Sequence, residues 1–141
     1  MNDIVLNKAE IIERALRRTT DTYLAHCDTL EQDFDAQDVI VLNLQRVCEA
    51  AIDLAMHVVR LKGLGLPKDS RDGFTLLERA GVIDAHIADR LRKMVAFRNI
   101  AVHDYRTLDW TIIRAILEKE VGDIVVFSQQ MVKSFADNVA H

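Results

Sequence analysis

The chain has 141 residues, half of them hydrophobic and 28% charged, with a net charge of −4. That length suits a single domain over residues 1–141 with a sizeable core, and the composition excludes a disordered chain. The acidic balance excludes a protein that gathers nucleic acid by overall charge, so any polyanion needs a local basic patch.

The pattern along the chain is helical throughout. Val5, Ala9, Ile12, Leu16, Thr19, Tyr23 and His26 step by four and three, the stripe of a first amphipathic helix. A second helix begins after Asp35 or Asp38. Ile40, Leu44, Val47, Ala51, Leu54 and Val58 carry it to a stop at Gly63, Gly65 and Pro67. The connector GLGLPKDSRDG holds the only proline and three of the five glycines. A short helix from Phe74 to Ala80 ends at Gly81. Ile83, Ile87, Leu91, Met94 and Phe97 mark a fourth helix. After a break around Arg106 to Leu108, a last long helix places Trp110, Ile113, Ile116 or Leu117, Ile124, Phe127 and Phe135 inward. The expected fold is all-α: a four-helix bundle with an additional short helix.

Several function classes are excluded or left without support. The longest uncharged run, Ile124 to Val132, is too short to span a membrane. MNDIVLNKAE has no basic stretch followed by an apolar one, so no secretory signal is expected and the cytoplasm is the expected location. Cys27 and Cys48 stand apart, as reduced thiols without a catalytic role. No glycine-rich phosphate loop is present, which argues against ATP hydrolysis.

Residues 97–105, FRNIAVHDY, concentrate Arg98, Asn99, His103, Asp104 and Tyr105 at the end of the fourth helix. At about 100° per residue, Asn99 and His103 share a face, whereas Arg98 and His103 diverge by roughly 140°. Either the helix loosens near His103, or a symmetric dimer pairs two copies of the motif across a cleft. A plainer reading leaves Arg98 and Asn99 in solvent and makes His103 a helix cap. Tyr105, two residues past His103, is either reachable from the cleft or a buried anchor.

Other constellations invite the same weighing. Glu49, Asp53 and His57 stand at i, i+4 and i+8 on the second helix, a spacing that suits a metal. Arg46 and Arg60 extend that face and favour an ion-paired stripe, with Asp53 in a supporting role and no metal. Arg14, Arg17 and Arg18, or Arg90, Arg92 and Lys93, offer either a basic rim for RNA or simply a solvated face. His26 and His86 fall on helical stripes as packing residues.

RNIAVHDY resembles the Arg-x4-His motif, followed by x-Tyr, of the HEPN superfamily and of its HepT-like toxins. Arg98, Asn99, His103 and Tyr105 fall on the motif positions. EAAIDLAMHVV, the GLGLP connector, FTLLERAGVID and LRKMVAFRNIAVHDY follow the family's layout in order. The resemblance implies an all-α homodimer and a metal-independent endoribonuclease acting on RNA without a cofactor. Arg98 and His103 would be catalytic and Asn99 supporting. It also implies a cognate minimal nucleotidyltransferase as antitoxin, which transfers AMP from ATP onto Tyr105. The alternative is a non-catalytic helical protein that binds a nucleotide or docks the nucleotidyltransferase.

Overall fold

The computed structural model describes residues 3–103 and 108–139. Helix α1 spans Asp3–His26, α2 Phe34–Lys62, α3 Asp72–Arg79, α4 Ala85–His103, α5 Trp110–Ala115 and α6 Val121–Val139. The described residues contain no strand, as the helical periodicity predicts.

Long α1 and α2 lie against one another and form the frame, onto which α6, α4 and α3 pack. On α1, Val5, Ile12, Leu16 and Tyr23 turn inward, while exposed Glu10–Arg14 and Glu13–Arg17 pairs staple its outer face one turn apart. Helix α2 starts earlier than Asp35 or Asp38. Asp33 is its cap, accepting from the Ala36 N–H at 3.0 Å. It ends where the periodicity said, at Gly63, whose φ of +62° is the left-handed turn that frees the chain for the connector. Helix α3 begins two residues before Phe74, and Gly81 at φ +75° closes the turn after it. Ile83 is buried but precedes α4, whose first turn is capped by Asp84 through the Ile87 N–H at 2.9 Å.

The predicted last helix is interrupted. Between α5 and α6 the residues Ile116–Glu120 form one π-helical turn, and Leu117, not Ile116, is the buried side chain there. The main core gathers Ile12, Leu54, Phe74, Leu77, Leu91, Phe127 and Met131 from five helices. Phe74 and Phe127 meet edge to face, 5.8 Å between centroids. Both are fully buried, so truncating Phe127 to alanine should cost about 3–5 kcal/mol. A smaller cluster of Tyr23, Leu30, Ile40, Leu44, Ile113 and Leu117 ties α5 and the π turn to α1 and α2.

Candidate active site

Helix α4 has two halves of opposite character. Ile87, Ala88, Leu91, Met94 and Val95 are buried, whereas Ala96, Asn99 and Ile100 face solvent. Arg98 lies between these regimes with 20% of its side chain exposed. Its Nη1 donates to Glu49 Oε1 of α2 at 2.6 Å, and its Nη2 approaches Ser70 Oγ of the connector at 3.5 Å. Its Nε is buried and has no hydrogen-bond acceptor among the described residues. The guanidinium is thus gripped at one corner, with donor capacity left over. Buried donors are rarely left unspent, and Gln130 Oε1 is the other such atom among the described residues.

The backbone of α4 stays helical through His103. The loosened helix that would bring His103 round to Arg98 is therefore not the arrangement found. Within one chain the two positions keep their offset of roughly 140°. The side chain of His103, and Asp104 and Tyr105 altogether, lie outside the described residues.

On α2 the expected supporting residue, Asp53, does not reach Arg98; it pairs with Lys8 of α1 at 3.1 Å. Glu49, one turn earlier, is the carboxylate that does. Among the described residues no group of His, Cys, Asp and Glu gathers as metal ligands would. His57 is held toward its neutral form, first by burial and then by the nearby Arg60 charge. The polar stripe is ion-paired, but not by the cations its sequence suggested. Arg46 bonds to Asn43 at 3.4 Å, and the counter-charges come from α1 and α4.

The two basic clusters are largely spent. Arg14 and Arg17 pair along α1, Arg90 pairs with Glu120 and Asp123, Arg92 with Glu78, and Lys93 with Asp89. His26 and His86 are not packing residues. Both are substantially exposed and meet Asp33 and Asp123, each at 3.0 Å. Burial pushes the Cys48 thiol up to about 12, so it is no nucleophile near neutrality.

Beside the motif, α4 and α5 border an apolar cavity of about 420 Å³ lined by Phe97, Ile100, Leu108, Ile112 and Ile116. Ile100 and Ile112 are more than half exposed at its edge.

The chain matches the family Ribonuclease HepT-like over residues 10–131, and it belongs to that family. It is 44% identical over 127 residues to the mRNA nuclease HepT of Shewanella oneidensis, covering 90% of this chain and 95% of that one. A tri-AMPylated Shewanella oneidensis HEPN toxin, solved in complex with an MNT antitoxin, superposes with a TM-score of 0.88 at 42% identity. That match covers 95% of this chain and 99% of the other. A toxin–antitoxin crystal structure with AMP-PNP gives the same TM-score at 41% identity, covering 94% and 99%. No helix among the described residues is long and apolar enough to cross a membrane.

Proposed function

We propose that this single-domain chain is the toxin of a cytoplasmic toxin–antitoxin pair, a metal-independent endoribonuclease acting from a cleft between two copies of itself. Arg98 and His103 are its catalytic residues, with Asn99 supporting them. Membership of a ribonuclease family supports the activity, and the observation that carries the site is the guanidinium of Arg98, buried at Nε with a donor still unspent.

The chemistry follows from what these groups can hold. A base removes the proton of a ribose 2′-OH, and the oxygen attacks the adjacent phosphorus. The P–O5′ bond breaks as an acid returns a proton to the leaving oxygen. The products are a 2′,3′-cyclic phosphate and a 5′-OH. Histidine titrates near neutrality and performs either proton transfer, worth about 10²–10⁴-fold. Arginine stays charged and grips two phosphate oxygens as charge grows on the phosphorane. Two motifs facing each other supply one histidine for each proton. The unbroken α4 supports that pairing, because one straight helix cannot aim Arg98 and His103 at one phosphate. The exposed Ile100 and Ile112 beside the motif offer the apolar surface that a second copy would cover.

The partner is a minimal nucleotidyltransferase that transfers AMP from ATP onto the Tyr105 oxygen, releasing pyrophosphate. The resulting phosphodiester brings about one negative charge to a site built to attract phosphate, and its bulk occupies the same space.

The test is cleavage of labelled RNA in excess chelator, with the His103→Ala chain alongside. Cleavage should persist, leave a 2′,3′-cyclic phosphate and fall by about 10²–10⁴-fold in the variant, whose thermal transition should not move. Loss of cleavage on chelation contradicts the reading.

A further inference from the structure

Of the two basic clusters that the sequence offered, Arg14, Arg17, Arg90, Arg92 and Lys93 all hold carboxylates, which leaves Arg18 of α1 as the member without one among the described residues. Two further cations without such a partner among the described residues lie in the connector, beside its contact with Arg98. Ser70 of the connector sits 3.5 Å from the Arg98 guanidinium, and Lys68 and Arg71 flank it. Both side chains are exposed, and neither forms an ion pair with any described residue.

The connector is built rather than slack. The Leu64 N–H closes the end of α2 onto Val59 O at 3.0 Å, and Leu64 packs on the core. The two acidic residues of the segment bond to its own backbone. Asp69 Oδ1 accepts from the N–H groups of Arg71 and Asp72 at 3.0 and 2.9 Å. Asp72 Oδ2 accepts from the Lys68 N–H at 2.9 Å. One oxygen of each carboxylate is thereby engaged by the loop itself, and neither carboxylate pairs with the side chains of Lys68 and Arg71, which are left to act outward. A self-bonded loop that presents two cations beside a third loses little entropy when a polyanion settles on it.

We propose that the connector is the RNA-binding rim of the active site, with Lys68 and Arg71 holding backbone phosphates of a single strand on either side of the linkage that Arg98 takes. This rests on the ribonuclease reading and adds to it where the strand lies. These are backbone contacts, so they position the strand without selecting its sequence.

Binding, rather than cleavage, tests the rim. A labelled single-stranded oligoribonucleotide is titrated against the full-length His103→Ala chain across a salt series, without and with Lys68→Gln plus Arg71→Gln. Each phosphate contact on a single strand contributes about −0.7 to the slope of log K against log salt. The double substitution should therefore weaken binding by about tenfold or more at low salt and flatten the slope by about 1.4. Lys68→Arg plus Arg71→Lys should keep the slope, and Arg14→Gln plus Arg17→Gln should change nothing. Unchanged binding in the Gln pair overturns the proposal, as does a chain that binds no RNA at all. So does a Gln pair that keeps RNA but loses the nucleotidyltransferase, which would make the connector a protein-docking face. If RNA binds through the rim while the unsubstituted chain fails to cleave, the ribonuclease reading fails and the rim stands.

Discussion

Arg98 and Arg114 are both partly buried arginines that bridge distant segments, yet the fold treats them oppositely. Arg114 of α5 makes a two-pronged pair with Glu31 at 2.8 and 2.7 Å and donates to Cys27 O at 2.7 Å. It also reaches the Tyr23 hydroxyl at 3.4 Å and lies 5.8 Å from the centre of that ring. Tyr23 in turn donates to Glu118 of the π turn. Nearly all of this guanidinium is committed to joining α5 to the end of α1. Among the described residues, Arg98 has one short bond to a half-exposed carboxylate, one long contact and a buried Nε without an acceptor. The described contacts saturate Arg114 and leave donors of Arg98 over, which is the difference that the proposed reading assigns to structure and to ligand.

The contrast can be broken most drastically by filling the empty site covalently. Incubating the chain with its nucleotidyltransferase and ATP should add AMP at Tyr105, seen by intact-mass and peptide mass spectrometry, and should silence RNA cleavage. A Tyr105→Phe chain should stay active and unmodified. If it remains toxic yet is still neutralised by an ATP-dependent route, the mechanism of control is wrong.

The next effect belongs to the saturated arginine. Arg114→Ala should lower Tm by several degrees while leaving turnover per folded chain close to the parent. The pH dependence has a definite sign. The bonds from Arg114 hold the Glu31 carboxyl below its usual 4.5. Its contribution to stability is therefore complete above about pH 4.5 and is lost as pH falls through the lower folded value. Urea midpoints measured from pH 6 down to pH 3 should fall less steeply in Arg114→Ala than in the parent. Equal slopes would mean that the pair does not carry the acid sensitivity.

The smallest effect sharpens the picture of Arg98. Glu49 is half exposed, and on the proposed reading it would compete with RNA phosphate for the Arg98 guanidinium. Glu49→Gln should tighten RNA binding a few-fold at low ionic strength, with the gain fading as salt screens the lost charge. Weaker binding in Glu49→Gln would mean that the carboxylate orients Arg98 instead of competing for it.

What was legible in the sequence depended on whether the signal was local. The stripes Val5 to Tyr23 and Ile40 to Val58, and the stop at Gly63, predicted α1 and α2 because hydrophobic period and glycine geometry act within a few residues. The start of α2 was read after Asp35 or Asp38 and missed Asp33, because any aspartate makes a good N-cap and only the hydrogen bond to Ala36 N–H singles one out. The π turn has no residue signature in Ile116–Glu120, and it lies where Ile113 and Leu117 both join the smaller core around Tyr23. His26 and His86 fit helical stripes, but their partners Asp33 and Asp123 pull them to the surface. At the site, Arg98 was legible as a motif residue, whereas its partner was not. Nothing local distinguishes Glu49 from Asp53, and the choice is made by a contact 49 residues apart.

The central claim, that the unsaturated arginine serves catalysis and the saturated one serves the fold, is tested most directly by one comparison. RNA turnover per folded molecule is measured for Arg98→Lys and Arg114→Lys under the same conditions. A lysine keeps the charge but loses the two-pronged grip. Arg98→Lys should lose about 10²-fold or more in turnover with an unchanged Tm, and Arg114→Lys should lose Tm with turnover retained. Full activity in Arg98→Lys, or a collapse of turnover in folded Arg114→Lys, would contradict the account.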